Sequence, residues 1–169
     1  EVKSSLNKAV VSMLIDSESS LISSTLYRNM LMALYNADKD GVKDALYTLF
    51  ASLPYQNYVN NNIGMYEGFY ASVVYAFLAS LGAPLIGEDT TNRGRIDLTL
   101  NMEHKIYLIE FKVGGGNALQ QIKEKKYYEK YRQHGKDIYL IGINFDEKER
   151  NISGFAWETF SPITPKGDL

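Results

Sequence analysis

Two acids and a lysine interrupt apolar stretches of the sequence and have the chemistry of a metal-dependent hydrolase. Glu110 and Lys112 lie in an apolar run over residues 106–113, and Asp97 lies in another over residues 95–100. Glu110 and Lys112 are two residues apart, so their side chains leave the same face of a strand. An isolated buried carboxylate is costly, so each acid requires a counter-charge or a metal ion. These residue types indicate phosphodiester hydrolysis as the chemistry to test.

In that chemistry a divalent cation held by Asp97 and Glu110 lowers the pKa of a bound water and polarises a phosphoryl oxygen. Lys112 would orient or deprotonate the attacking water, or stabilise the extra charge on the phosphate. The alternative is an ion pair between Glu110 and Lys112 that only stabilises a sheet. A glycosidase with paired carboxylates is a third class of enzyme, but it gives Lys112 no obvious role.

Asp97 and Glu110 meet only if their two segments pair as a hairpin. A turn over residues 101–105 places Asp97 across from Ile109 or Glu110, and a bulge would absorb the difference of one residue. Opposed Cβ atoms in a sheet lie about 5 Å apart, which is close enough for two carboxylates to hold one ion. Glu67, in an expected buried helix, is a candidate third acidic ligand, directly or through water.

The elements that position these residues follow from the hydrophobic period. Apolar residues recur at helical spacing through the first third of the chain, and further helices are expected over residues 42–53 and 66–81. After Gly82 the period becomes that of strands. Strands are expected over residues 84–86, 95–100, 106–113, 138–145 and 152–157, with a helix over residues 117–133 and an irregular tail over residues 161–169.

A strand, a crossover helix and a second strand pair in parallel, with a right-handed connection. The sequence therefore predicts an α/β fold, in which a mixed β-sheet is flanked by helices and preceded by a helical segment. The helical segment is assigned to residues 1–53 and the sheet-containing domain to residues 54–169.

Composition fits one compact domain with a sizeable core. The chain has 169 residues, of which 45% are hydrophobic and 22% are charged, and it has no cysteine. Without thiolates, a metal must be held by oxygen ligands or by the two histidines. We find no membrane span or signal peptide in the sequence, so a cytoplasmic protein without a membrane partner is expected. Because the chain begins with glutamate, we expect it to be part of something longer.

The net charge of −2 and the pI near 5.7 argue against nucleic-acid binding by global electrostatics, so any such partner requires a local basic surface. Six cations between residues 121 and 136 offer one: Lys123, Lys125, Lys126, Lys130, Arg132 and Lys136. A phosphate-contacting surface and a solvated helix face are equally good interpretations of them. Tyr127, Tyr128 and Tyr131 are interpreted as packing residues ahead of base-stacking platforms. Arg95 is either a phosphate clamp or a partner for an acid.

A longer pattern resembles a known family of nucleases. Its members are Tyr66-Glu67-Gly68-Phe69-Tyr70, Gly94-Arg95-Ile96-Asp97, Glu110-Phe111-Lys112, Ala118-Leu119-Gln120-Gln121-Ile122, Tyr127 and Gly142-Ile143-Asn144-Phe145. The pattern resembles the PD-(D/E)xK nuclease superfamily, in the branch found C-terminal to predicted bacterial AAA-type ATPases. The resemblance covers most of the chain from Leu53 onwards and implies a restriction-endonuclease-like sheet.

The resemblance also implies roles for individual residues. Asp97 and Glu110 would be metal ligands, Glu67 the accessory acid and third candidate ligand, Lys112 the catalytic lysine, and Gln121 the polar residue on the helix after Glu-x-Lys. It implies Mg²⁺ or Mn²⁺ as cofactor and nucleic acid as substrate, with DNA expected ahead of RNA. It also implies that residues 1–53 link this domain to an ATPase domain in a longer parent chain, and self-association is a further expectation.

No phosphate-binding loop of the Gly-x-x-x-x-Gly-Lys-Ser/Thr type occurs in this sequence, so nucleotide binding is not implied. The principal alternative function is a catalytically inactive nucleic-acid-binding or protein-interaction module of an ATPase-associated system.

Overall fold

The computed structural model describes residues 20–53 and 66–160, and the side chains of residues 24–53 and 66–160. Its helices are α1 (Ser20–Asn36), α2 (Lys39–Ala51), α3 (Glu67–Ser80) and α4 (Ala118–Lys125), and a short 3-10 helix covers Tyr127–Tyr131. Its strands are β1 (Leu85–Thr91), β2 (Gly94–Asn101), β3 (Lys105–Val113), β4 (Asp137–Asp146) and β5 (Asn151–Phe160). The expectations for residues 1–19, 54–65 and 161–169 lie outside the described residues.

The five strands form one sheet in the order β1-β2-β3-β4-β5. β3 and β4 run parallel, and the other neighbouring pairs are antiparallel. α4 lies in the crossover between the two parallel strands, as the strand, helix and strand pattern predicts. The mixed sheet with flanking helices confirms the predicted α/β, restriction-endonuclease-like fold.

Helices cover both faces of the sheet. α1, α2 and α3 pack on one face through a large core that includes Met30, Leu46, Phe77 and Phe111. α4 and the 3-10 helix pack on the other face through a smaller core that includes Ile122. Since α1 and α2 share the large core with the sheet, the described part of the predicted helical segment packs directly on the strands. The proposed division of the chain at residue 53 stays a prediction.

Two local features hold α4 in place beside β3 and β4. Asn117 precedes the helix, and its side chain accepts a 3.0 Å hydrogen bond from the backbone N–H of Gln120, which caps the first turn. Gly142 in β4 lies under the helix, where a Cβ would clash with the backbone nitrogen of Leu119. The glycine therefore allows the close approach that brings Gln121 over the sheet.

The helix predicted over residues 117–133 is wrong beyond Lys125. Lys126 adopts a left-handed conformation with φ of 50°, and the chain continues as the 3-10 helix. In a continuous helix the face that carries Ile122 would next present Lys125, Lys126 and Glu129, which cannot be buried. The break turns the chain so that Tyr127, rather than a charged residue, packs on the sheet.

The strand predicted over residues 84–86 is also too short. β1 continues to Thr91 and pairs with β2 up to the contact between Thr91 and Gly94. Its second half is polar and lacks the apolar alternation on which the prediction relied. Within residues 20–53 and 66–160, the structure contains no helix with the length and hydropathy that a membrane crossing requires.

Candidate active site

The hairpin of β2 and β3 opens where the two acids face each other. Its backbone pairing runs from Asn101 and Ile106 to Leu98 and Ile109, so one further step places Asp97 opposite Glu110. At that step contacts of the two acid side chains replace the backbone hydrogen bonds between the strands. The Asp97 carboxylate accepts a 2.9 Å hydrogen bond from the Phe111 N–H, and Glu110 Oε2 lies 3.4 Å from the Asp97 nitrogen. The two acids therefore contact each other between the strands, in one of the two registers that the turn over residues 101–105 allows.

A bend in β2 directs Asp97 into this gap. Leu98 belongs to the large core and Ile96 to the smaller core on the opposite face, although residues two apart in a regular strand share a face. The side chains of β2 therefore change from one face of the sheet to the other at Asp97. β1 bends at the same level, where Glu88 has a positive φ of 52°. Irregularities of this kind redirect side chains next to active sites in many sheets.

Glu110 is the most deeply buried acid of the site, with 1% of its surface exposed. The side-chain amide of Gln121 in α4 donates a hydrogen bond to its Oε1. Burial, followed by the nearby charge of Asp97, raises the pKa of Glu110 to about 8. The charge of Lys112 and the hydrogen bonds oppose this rise but do not cancel it. The surrounding protein groups therefore do not stabilise the ionised form of Glu110 enough to offset its burial.

The pKa of Asp97 is also raised, chiefly by burial. The hydrogen bond from the Phe111 N–H and the charge of Lys112 act in the opposite direction, while the charge of Glu67 raises the pKa further. Both acids would thus be stabilised by a cation placed between them.

The chemistry of this pair fits a hard divalent cation, because its donors are carboxylate oxygens. Asp97 and Glu110 would hold such an ion. In the described part of the chain, no three His, Asp or Glu side chains are grouped closely enough to bind a metal together. Mg²⁺ commonly keeps several waters and takes one or two carboxylates, so two acids are a sufficient set.

Lys112 contacts the fourth predicted residue of the site. Its Nζ lies 3.2 Å from Glu67 Oε2, and Glu67 is the first residue of α3. Glu67 is exposed, although the sequence placed it on a buried helix. The structure therefore brings Glu67 to the site as the ion-pair partner of Lys112. The role of Glu67 as a metal ligand stays a prediction.

Tyr127 joins the site, although packing was the favoured interpretation of it from the sequence. A Cβ on Gly94 would lie 2.9 Å from the Tyr127 hydroxyl, so this hydroxyl lies against the start of β2. Burial and the charge of Glu110 raise the pKa of Tyr127, whereas hydrogen bonds from the Gln121 side chain and the Arg95 backbone lower it. The signal available in the sequence was the membership of Tyr127 in the family pattern.

Several cations of the basic segment bind protein groups. Lys123 pairs with Glu158 at 2.9 Å, Lys130 pairs with Asp89, and Lys136 donates a 2.7 Å hydrogen bond to Asn101 Oδ1. These contacts favour the interpretation of the segment as a structural and solvated face.

Arg95 forms an ion pair with an acid, which agrees with its interpretation as a partner for an acid rather than a phosphate clamp. Its guanidinium lies 3.3 Å from Glu88 Oε1, and both side chains are exposed. The charge of Arg95 also lowers the pKa of Asp97.

The comparison with protein families agrees with this geometry. Residues 65–155, more than half of the chain, match the model of a family within the PD-(D/E)XK nuclease superfamily. The chain belongs to this superfamily. It is also 41% identical, over 165 residues, to a protein of Azotobacter chroococcum mcd 1 described as "Uncharacterized protein in vnfD 5'region". That similarity covers 94% of this chain and 31% of the relative, so the chain spans about a third of the relative's length.

Proposed function

We propose that this chain is a nuclease domain that hydrolyses phosphodiester bonds of nucleic acid with Mg²⁺ or Mn²⁺. The observation that carries the proposal is the interlocked pair of buried acids, Asp97 and Glu110, with Lys112 close enough to influence the pKa of both. Both carboxyls have raised pKa values, which is typical of a site arranged for a cation or for proton transfer.

Each residue of the site has a defined task in this proposal. Asp97 and Glu110 hold the metal ion, which when bound supplies Lewis acidity and a more acidic water. Lys112, whose charge lowers the pKa of both acids, orients the attacking water or stabilises charge developing on the phosphate. Glu67 limits the freedom of Lys112 through their ion pair. Gln121 holds Glu110 in one orientation.

DNA is the first substrate to test, because the family resemblance favours it ahead of RNA. An AAA-type ATPase partner, self-association and a cytoplasmic location are further proposals. The ATPase partner rests on the family resemblance, and this chain matches 31% of the Azotobacter relative. The rest of such a protein has room for another domain.

The proposal is tested by incubating single-stranded and duplex DNA and RNA with Mg²⁺, Mn²⁺ or a chelator. Cleavage is expected with a metal and not with the chelator, and Asp97→Ala and Lys112→Ala are expected to abolish it. Lys105→Ala is the matched control, because Lys105 begins the same strand and donates its hydrogen bond to the Tyr35 carbonyl, away from the acids.

Cleavage that persists in both Asp97→Ala and Lys112→Ala would come from another site or a contaminant and would refute the proposal. Metal binding by the wild-type protein without cleavage of any nucleic acid would support the alternative, a catalytically inactive binding module.

A further inference from the structure

A cleft adjoins the acid pair and has no role in the chemistry described so far. It has a volume of about 460 Å³ and lies between one face of α3, from Glu67 to Tyr75, and the hairpin of β1 and β2. Asp97 lines the cleft together with Arg95 and Glu88. The cleft is therefore continuous with the candidate active site, and a nucleic acid bound at the acids would have its neighbouring nucleotide beside this opening.

Tyr75 provides an aromatic surface in the cleft. It is 42% exposed, and its ring packs beside Gly87, where a Cβ would lie 3.5 Å from the ring. Tyr75 lies eight residues after Glu67 on the same helix, which places the two Cα atoms about 12 Å apart. That distance is on the scale of one or two nucleotides. Exposed aromatic rings of this kind are the surfaces on which unpaired bases stack.

The charges of the cleft favour a base over the phosphate backbone. Three carboxylates, Glu67, Glu88 and Asp97, line it beside a single guanidinium, that of Arg95. Phosphates would be repelled from such a lining away from the metal. A base is uncharged, and the amino groups of adenine, cytosine and guanine can donate hydrogen bonds to carboxylates.

We propose that this cleft binds an unpaired nucleobase next to the scissile phosphate, with the base stacked on Tyr75. The inference rests on the proposed nuclease function and specifies its substrate as single-stranded nucleic acid or an unpaired end. A base inside a duplex reaches the cleft only after it leaves its stack, and unstacking is energetically unfavourable. Blunt duplex therefore binds without using the cleft.

The test measures binding of the full chain to three labelled DNA probes by fluorescence anisotropy. The probes are a single strand, the same sequence as a blunt duplex, and a duplex with an unpaired overhang, each with Ca²⁺ replacing Mg²⁺ so that cleavage does not interfere. Tyr75→Ala is expected to weaken binding of the single strand and the overhang by about 10-fold, the size of a lost stacking contact. Binding of the blunt duplex is expected to stay within about twofold.

A second variant tests the cleft without removing the ring. Ser72→Leu places a larger side chain in the same opening, and its exposed helical position tolerates leucine. It is expected to cause the same selective loss as Tyr75→Ala, while Tyr75→Phe retains binding. Tyr47→Ala is the matched control, because Tyr47 is 50% exposed on α2 and does not line the cleft. Thermal unfolding confirms that each variant is folded.

Equal losses on single strand and blunt duplex, or no loss in Tyr75→Ala and Ser72→Leu, would overturn the inference. If the wild-type protein cleaves nucleic acid and these two variants bind as it does, only the inference about the cleft fails. If the wild-type protein neither binds nor cleaves nucleic acid with any metal, the inference fails together with the proposed function.

Discussion

Two buried carboxylates on this sheet show opposite electrostatic behaviour. Asp89 in β1 is 3% exposed and Glu110 in β3 is 1% exposed. Asp89 accepts hydrogen bonds from Thr99 Oγ1 at 2.9 Å, from the Lys130 ammonium and from the Tyr131 hydroxyl. Burial acts to raise the pKa of Asp89, but these three donors together hold it below its ordinary value. The pKa of Glu110 is instead raised to about 8.

The difference shows which acid the protein stabilises by itself. Asp89 has a complete set of donors and joins β1 to the 3-10 helix, so its charge serves the fold. Glu110 has the Gln121 amide, a long contact with the Asp97 N–H and a second acid beside it. A buried acid whose ionised form the protein does not stabilise is typical of a functional site. Such a site retains residues for their chemistry at a cost in stability.

The largest expected effect is loss of cleavage when Glu110 becomes neutral. Glu110→Gln removes a proposed metal ligand, and we expect cleavage to fall on the order of 1,000-fold, or about 4 kcal/mol of transition-state stabilisation. The same change removes a strained buried charge, so the metal-free variant is expected to be more stable than the wild type at pH 8. Cleavage kinetics with Mn²⁺ and urea unfolding with chelator measure the two effects. A variant that is less stable and equally active would contradict both.

The second prediction concerns the opposite acid. Asp89→Ala leaves Tyr131, Thr99 and Lys130 without their shared acceptor, and we expect a loss of about 3 kcal/mol in the free energy of unfolding. Lys130 is partly exposed and can turn to water, which keeps the loss at the lower end for a broken buried pair. Mn²⁺ affinity, measured by calorimetry on the folded variant, is expected to be unchanged. A large loss of affinity would show that the two acids belong to one site.

A third prediction follows from the raised pKa of Glu110. The folded protein binds this proton more tightly than the unfolded chain, because the pKa is about 8 instead of 4.5. The stabilising contribution is therefore fully present below about pH 4.5 and is lost as the pH rises to about 8. With chelator, the melting temperature is expected to fall over that range. Asp89, whose pKa is lowered, contributes its change at more acidic pH and does not mask the effect.

Two additions sharpen that measurement. Mg²⁺ at about 100 times its dissociation constant should raise the free energy of unfolding by about 2.7 kcal/mol at pH 8, because it binds the folded state. Glu110→Gln should flatten the pH dependence. An unchanged slope in Glu110→Gln would assign the effect to another group.

The sequence was sufficient for the parts of the site that depend on strand periodicity. The apolar runs around Asp97 and Glu110 identify two buried strands, and the turn between them limits the register to two alternatives, of which the structure shows one. The two-residue spacing of Glu110 and Lys112 needs no tertiary information. The family pattern also selected Gln121 as the polar residue on the helix after Glu-x-Lys, and in the structure its side chain donates a hydrogen bond to Glu110.

Features that depend on distant contacts could not be read in this way. The change of face in β2 at Asp97 coincides with the positive φ of Glu88 in the neighbouring strand, and no local sequence pattern marks either feature. The Asp89 cluster joins residues that are 41 positions apart, from Asp89 to Lys130. The left-handed Lys126 depends on the competition between a charged helix face and two buried tyrosines.

Those two tyrosines, Tyr127 and Tyr131, give the last and smallest prediction, because their hydroxyls lie near different acids. The Tyr131 hydroxyl donates to Asp89, whereas the Tyr127 hydroxyl lies beside Gln121 and the start of β2. Tyr131→Phe is expected to reduce the free energy of unfolding by about 1.5 kcal/mol, the value of a hydrogen bond to a charged group, with Mn²⁺ affinity unchanged. Tyr127→Phe is expected to change stability by less than about 1 kcal/mol and to weaken Mn²⁺ binding by about 10-fold, because Gln121 loses a partner that orients it towards Glu110. Calorimetric titration and urea unfolding of both variants separate the two effects. If both substitutions affected metal binding equally, the 3-10 helix would act as one unit, and Asp89 would have to be counted with the site rather than with the fold.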